Sequence, residues 1–317
     1  MITVVTLADA AYAMPLAVMV RSLLDHLSPK RSVRVLVVDG GIGDSEKRLL
    51  RASWEDSPGW PRARIEFVPP AYGGSTDLPV WGRLSVLTYS RISAAAYVPD
   101  DCKRLIVLDS DVLVLTDIGR LFDIDLGGAV VAAAQDPYIP LVSSLDGLSR
   151  YAKLGLTPEC KYFNAGVMVA DTGKWRRERV AERAFDFVAR HWQSLHHYDQ
   201  DCLNAVLAGH WKELDPRWQW HPRTRFSLGL PSGGDPWIVH FSGSLKPWLY
   251  QASTAADARF YEILNHTAWK GWQPPTGVQA LAYRAYDSPL RRVLYPIEKH
   301  AVAWRRRFQE RRRVSPV

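Results

Sequence analysis

The chain has 317 residues, 47% hydrophobic and 23% charged, proportions of a folded globular body that exclude wholesale disorder and a polytopic membrane protein. Three cysteines, Cys102, Cys160 and Cys202, with no CxxC spacing, exclude a disulfide framework and a cysteine zinc ribbon and point to a reducing compartment. The net charge of +7 is local: residues 284–317 hold ten basic and three acidic groups, and residues 1–283 sum to zero.

Ile2–Thr6 is a β-branched run, followed by a helical pattern from about Ala13 to His26 with Pro15 in its first turn. No basic region precedes it and Asp9 interrupts it, which argues against a cleaved leader or a membrane span and for a chain that begins at Met1. Arg34–Asp39 reads as a buried strand, and Asp44 is placed to cap a helix through about Trp54. Arg64–Val68 is a third strand, Pro69–Gly82 a Pro/Gly-rich loop, Leu84–Tyr97 a helix and Arg104–Asp109 an apolar strand. Farther on, Val130–Ala134 and Cys160–Ala170 read as strands, and Thr172 caps one long helix from Gly173 to about Trp192. Trp237–Val239 is strand-like, and residues 255–272 read as a helix. Strands alternating with helices predict an α/β fold with a mixed, mostly parallel sheet covered on both faces. No linker interrupts residues 1–275, which make one domain; residues 276–317 are a basic helical appendage.

In that appendage Leu290, Val293, Leu294, Ile297, Ala301, Trp304 and Phe308 recur at helical spacing, with Pro296 as a kink or restart. An apolar stripe set among arginines suits an anionic membrane surface through residues 284–313, and so a cytoplasmic protein peripheral at the inner face of the cell membrane. Docking of the stripe on its own domain is the competing reading. Nucleic acid is not expected, because no recognition motif accompanies the charge.

Asp109-Ser110-Asp111 stands at the end of the apolar run, where open α/β sheets place their ligands. In extended chain both carboxylates point to one side and can share a hard cation, which in turn favours a substrate phosphate. Acid-x-acid also occurs at Asp123/Asp125 and Asp199/Asp201, so the spacing alone is weak, and two turn-forming acids remain the plain alternative. The segment His240–Trp248 offers an imidazole, a lysine at Lys246 and a glycine at Gly243 for close approach to a phosphate. An imidazole beside two carboxylates suits Mn²⁺ better than Mg²⁺.

Val4–Tyr12, Thr88–Arg91, Leu105–Val112, Tyr162–Gly166, Tyr198–Asp201 and His240–Trp248, in this order, give the chain its resemblance to the retaining glycosyltransferases of family 8, which have the GT-A nucleotide-sugar fold. The resemblance implies that Asp109, Asp111 and His240 bind Mn²⁺, with Mg²⁺ as the substitute. It implies that Asp9 lies near the uracil of a UDP-sugar, with Tyr12 and Ser110 among the nucleotide contacts and Gly243 and Lys246 on the diphosphate. Arg91, Asn164, Asp199 and Gln200 would surround the donor sugar, with Asp201 the nearest further carboxylate. Two departures stand out: Ala10-Ala11 where relatives carry a further polar residue, and Arg83 where a galactosyl-transferring relative has His.

The implied activity is transfer of glucose or galactose from UDP to a glycan or lipid-linked saccharide with retention. Bond breaking that runs ahead of attack lets the leaving phosphate take the acceptor proton, while Gln200 shields the cationic sugar carbon. A catalytically silent nucleotide-sugar or glycan-binding module is the alternative. A nucleotidyltransferase would need a Gly-rich phosphate loop after the first strand, and Ala8–Ala11 is not one. Among the tryptophans, Trp248 is the one placed to stack on a sugar, beside Lys246.

Overall fold

A computed structural model of the chain describes residues 1–75, 77–80, 85–222, 234–243, 246–249 and 254–276. Arg83 and the basic segment 284–313 lie outside the described residues. The centre is a pair of parallel strands, β1 (Ile2–Ala8) and β4 (Arg104–Asp109). β2 (Val33–Asp39) and β3 (Ala63–Val68) extend the sheet in parallel on the β1 side. Beyond β4 come β7 (Phe163–Asp171), β6 (Val131–Gln135) and β8 (Trp211–Glu213), in the order β3-β2-β1-β4-β7-β6-β8. β7 runs antiparallel to both neighbours, so the sheet is mixed and mostly parallel, as the alternation of elements predicts.

Successive residues of β1 feed opposite faces: Val4 joins one core with Val35 and Ile106, and Val5 the other with Leu36 and Val107. That two-sided burial explains why the strands read as continuous apolar runs rather than alternating ones. The first core is roofed by α1 (Ala13–Asp25) and α2 (Asp44–Trp54), through Leu16, Val20, Leu50 and Trp54, and the short α3 (Gly119–Phe122) adds Leu121. The second lies under the 3-10 segment Val86–Tyr97, α5 (Val180–His191) and α6 (Tyr198–Leu207). A separate two-stranded sheet, β5 (Val112–Val114) with antiparallel β9 (Ile238–His240), stands beside α1.

Local chemistry moves several predicted boundaries. Gly43 is the cap of α2, and Asp44 sits inside its first turn, where a carboxylate favours the helix dipole. The helix predicted from Gly173 to Trp192 is two, α4 (Thr172–Arg177) and α5, because Arg179 takes the left-handed conformation at φ 53° between them. The cap of α4 is Asp171, whose carboxylate accepts from the Lys174 amide at 2.8 Å, and Thr172 is the first helical residue. Of the helix predicted over Leu84–Tyr97, Val86–Tyr97 is a 3-10 segment with a kink at Ser93 instead of an α-helix. Helix α7 (Ala255–Leu264) opens on a Thr254–Asp257 capping box and stops well before 272.

Candidate active site

β4 ends on Asp109, and a Ser110-Asp111 turn carries the chain straight into β5. Across the small ladder Val112 pairs with His240, and the Phe241 amide donates to the Asp111 carbonyl at 3.0 Å. This register delivers the imidazole to the carboxylates. His240 Nε2 lies 3.3 Å from an Asp111 oxygen and 3.6 Å from an Asp109 oxygen. One donor atom from each residue falls within 4.8 Å of the others. β7 makes the space: a Cβ on Gly166 would meet His240 Cε1 at 2.3 Å and Asp109 Oδ2 at 2.7 Å. Two hard carboxylates and an imidazole, at mutual distances that one ion can span, fit a divalent cation.

Two buried cations balance these acids. Arg91, from the 3-10 segment, pairs with both Asp109 and Asp199, and Thr88 donates to Asp199 at 2.6 Å. Burial alone would lower the Arg91 pKa, but Asp109 and Asp199 outweigh it and hold the guanidinium charged. Lys246 pairs with Asp111 and donates to the Phe241 carbonyl at 2.6 Å. Burial opposes the ammonium, and Asp111 overcomes it and raises its pKa. Burial likewise opposes charge on Asp111, yet Lys246 and His240 hold it well below the usual carboxylate range. The Asp9 carboxylate accepts from the Ala11 and Tyr12 amides at 3.1 and 3.2 Å, fixing the turn before α1. Lys246 pulls the Tyr12 phenol down, but burial with Asp111, Asp109 and Asp9 carries its pKa up.

The start of β7 supplies a second array, of side-chain amides around one carboxylate. Asn164 and Gln200 donate to the same Asp136 oxygen, at 2.7 and 3.1 Å, and Gln200 accepts from the Ala165 amide at 2.9 Å. Asn204 clamps α6 to β7 through both its donor and its acceptor to Phe163, at 2.8 and 2.9 Å. Because β7 is antiparallel, its first residues rather than its last lie at the ligand edge of β4.

The sequence profile of glycosyl transferase family 8 matches residues 3–252. The chain belongs to glycosyl transferase family 8. General stress protein A of Bacillus subtilis (strain 168) is 32% identical over 281 residues, covering 84% of this chain and 94% of that protein. The lipopolysaccharide 1,2-glucosyltransferase of Escherichia coli (strain K12) is 26% identical over 204 residues, 62% of this chain and 58% of that protein. The galactosyltransferase LgtC, solved with donor and acceptor sugar analogs, matches with a TM-score of 0.69 at 25% identity, covering 89% of this chain and all of that one. A second LgtC structure, an active-site mutant with Gln changed to Glu, matches with the same score at 26% identity.

Within this family 8 glycosyltransferase, the residues named from sequence fall into groups. Asp109, Asp111, His240, Lys246, Arg91, Asp199 and Tyr12 form one charged cluster, with buried Ser110 between its two carboxylates. Asn164 and Gln200 sit on the adjoining amide array. Gly243 has φ 78° and open space where a side chain would project. Asp201 is placed differently: fully buried, it accepts from the Tyr162 hydroxyl at 2.6 Å and from the amides of His196 and His197 at 2.5 and 2.8 Å. Trp248, expected as a sugar platform, is buried against Tyr12 and Phe260 at ring separations of 5.8 and 5.4 Å.

Three residues escaped the sequence reading. Asp136 fixes Asn164 and Gln200; Gln219 bridges Asn164 and His240; His221 lies with its ring 5.0 Å from that of His240 and is bonded to Ser242 at 2.6 Å. Burial, reinforced by His240, pushes the His221 pKa well below its ordinary value. None of them has a local spacing that marks it, since each acts across more than twenty residues of chain.

Proposed function

We propose that this glycosyltransferase moves a hexose, glucose or galactose, from UDP to a saccharide acceptor with retention at the anomeric carbon, in a Mn²⁺-dependent reaction. The observation that carries the reading is the buried Asp109–Asp111–His240 cluster with Lys246 against it. The name of the Escherichia coli relative, and the sugar analogs bound by LgtC, support a sugar donor and a saccharide acceptor. When bound, the cation supplies Lewis-acid stabilisation of charge on the departing diphosphate. Lys246 neutralises further phosphate charge in a buried setting, where such electrostatic help is strongest. Gly243, at φ 78°, lets the backbone approach a phosphate oxygen that a side chain would obstruct. Arg91 and Asp199, locked as a pair, present fixed polar atoms to the sugar hydroxyls.

Retention through a protein nucleophile needs a free carboxylate beside the anomeric carbon. Gln200 is an amide, and Asp201 is committed to Tyr162 and two backbone amides. The reading is therefore that the acceptor oxygen attacks the face the leaving group vacates. Its proton passes to the departing phosphate oxygen, and Gln200, oriented by Asp136 and the Ala165 amide, screens the opposite face. The Gln-to-Glu active-site mutant of LgtC is evidence that a glutamine lies in the active site of that protein, the kind of place read here for Gln200.

We further propose that residues 284–313 rest on an anionic membrane surface; no helix among the described residues is long and apolar enough to cross a membrane. The function is tested with a panel of UDP- and GDP-sugars, with and without Mn²⁺ and without acceptor, reading the product anomer by NMR. Slow Mn²⁺-dependent release of the α-hexose from one UDP-sugar is expected. Release of the β-anomer, or absence of metal-dependent UDP binding, would overturn the reading.

A further inference from the structure

Gln219 closes the 3-10 turn Pro216–Gln219 and is 4% exposed. Its Nε2 donates to Asn164 Oδ1 and lies 3.1 Å from His240 Nδ1. Its Oε1 is buried and has no hydrogen-bond partner among the described residues. A buried amide oxygen without a donor is costly, so its persistence calls for a physical reason.

The hydrogen-bond roles supply one. With Gln219 donating to Nδ1, a neutral His240 carries its proton on Nε2, which faces the Asp109 and Asp111 oxygens at 3.6 and 3.3 Å. That arrangement is self-consistent while carboxylates are the only neighbours of Nε2. An imidazole that ligates a cation through Nε2 needs the opposite: a bare Nε2, and Nδ1–H donated to an acceptor. The unpartnered Oε1 is that acceptor, carried on the same amide. A half-turn about the last side-chain bond of Gln219 exchanges the two atoms and brings Oε1 to Nδ1. The same turn replaces the N–H donor to Asn164 by Oε1, so two acceptor oxygens face each other and Asn164 must draw back, still held by its bonds to Asp136 at 2.7 Å and to the Gly166 amide at 2.9 Å.

We propose that Gln219 is the positioning residue that prepares His240 for the cation, its amide turning over on metal binding and so coupling metal occupancy to Asn164 in the sugar-facing array. This rests on the metal-site reading above, and Gln219 acts through His240 rather than on the reacting atoms.

The test is Mn²⁺ binding to the full chain by calorimetry, without nucleotide, for the unaltered protein and for Gln219→Met, Gln219→Glu and Asp111→Asn. Gln219→Met, which offers no acceptor to Nδ1–H, is expected to weaken binding roughly 10–100-fold, the range found when a ligand's outer partner is removed. Gln219→Glu restores an acceptor and should bind Mn²⁺ within roughly threefold of the unaltered chain, yet turn over UDP-sugar more slowly, having lost the donor to Asn164. A folded Gln219→Met that binds as tightly as the unaltered protein overturns the proposal, as does a Gln219→Glu that loses as much as Met. If the Met variant does not fold, the Glu variant decides alone. Asp111→Asn separates the two readings: loss of Mn²⁺ there with no change at Gln219 sinks only this inference, whereas retention there sinks the metal site and this inference together.

Discussion

Gly166 lies against His240 so closely that a single methyl group on it would overlap the imidazole, at 2.3 Å from Cε1. The neighbour is a ring held in a three-residue ladder and by Gln219, so it has little freedom to give way. Overfilling a packed interior costs about 1–3 kcal/mol. Gly166→Ala is therefore expected to keep the fold while lowering Mn²⁺ affinity and turnover at least tenfold, about 1.4 kcal/mol of lost binding. Circular dichroism with a metal titration checks it, and wild-type affinity in the alanine variant would mean the ring does not hold the ion from this position.

Asp201 and Gln200 are neighbours in sequence, and the proposed function gives them opposite duties. Replacing Asp201 with Asn removes an acceptor for the Tyr162 hydroxyl or for the amides that open α6. Hydrogen bonds to a charged group contribute about 1.5–3 kcal/mol each, so Asp201→Asn should lower stability by about 2 kcal/mol or more. Gln200→Ala should leave the urea midpoint much less affected and cut turnover. Equal stability in both variants, with activity lost only at Asp201, would make Asp201 the reacting group.

Tyr261 on α7 donates to the Pro247 carbonyl at 2.7 Å, tying that helix to the segment carrying Lys246. Burial, helped by Asp257, pushes its pKa up to about 12. A folded-state pKa above the unfolded value gives stability that is complete below about pH 10 and is lost as pH rises toward 12. Tyr261→Phe should flatten the stability slope across that interval. Urea melts at stepped alkaline pH measure it, and an unchanged slope would show that the phenol does not gain its proton affinity from folding.

Deleting residues 284–313 is expected to abolish salt-sensitive binding to vesicles containing anionic lipid and to spare sugar-nucleotide hydrolysis by the rest of the chain. Undiminished vesicle association after the deletion would place any membrane contact elsewhere.

The strands were legible because their burial is two-sided: β1, β2 and β4 read as unbroken apolar runs, and each lies within one or two residues of its expected limits. What the sequence hid is backbone detail without a side-chain signature. Arg179 in the left-handed region splits one predicted helix into α4 and α5, and no glycine or asparagine announces it. The charged half of the site was visible as ordered motifs. Its amide half was not, because Asp136 and Gln219 are lone polar residues whose meaning comes only from Asn164, Gln200 and His240 closing on them. Trp248 shows the reverse error: proximity to Lys246 in sequence suggested a sugar platform, and packing against Phe260 claimed the ring.

The β5–β9 ladder also has a consequence for the order in which this protein becomes itself. Both carboxylates are in place once β4 and its turn exist, but the imidazole arrives only after residues 115–237 have been made. Contacts that distant close late, because the loop between them must first be organised. On the proposed function, a chain still emerging from the ribosome thus carries an incomplete ligand set. On that same function, capture of the donor begins only when β9 is in place beside β5.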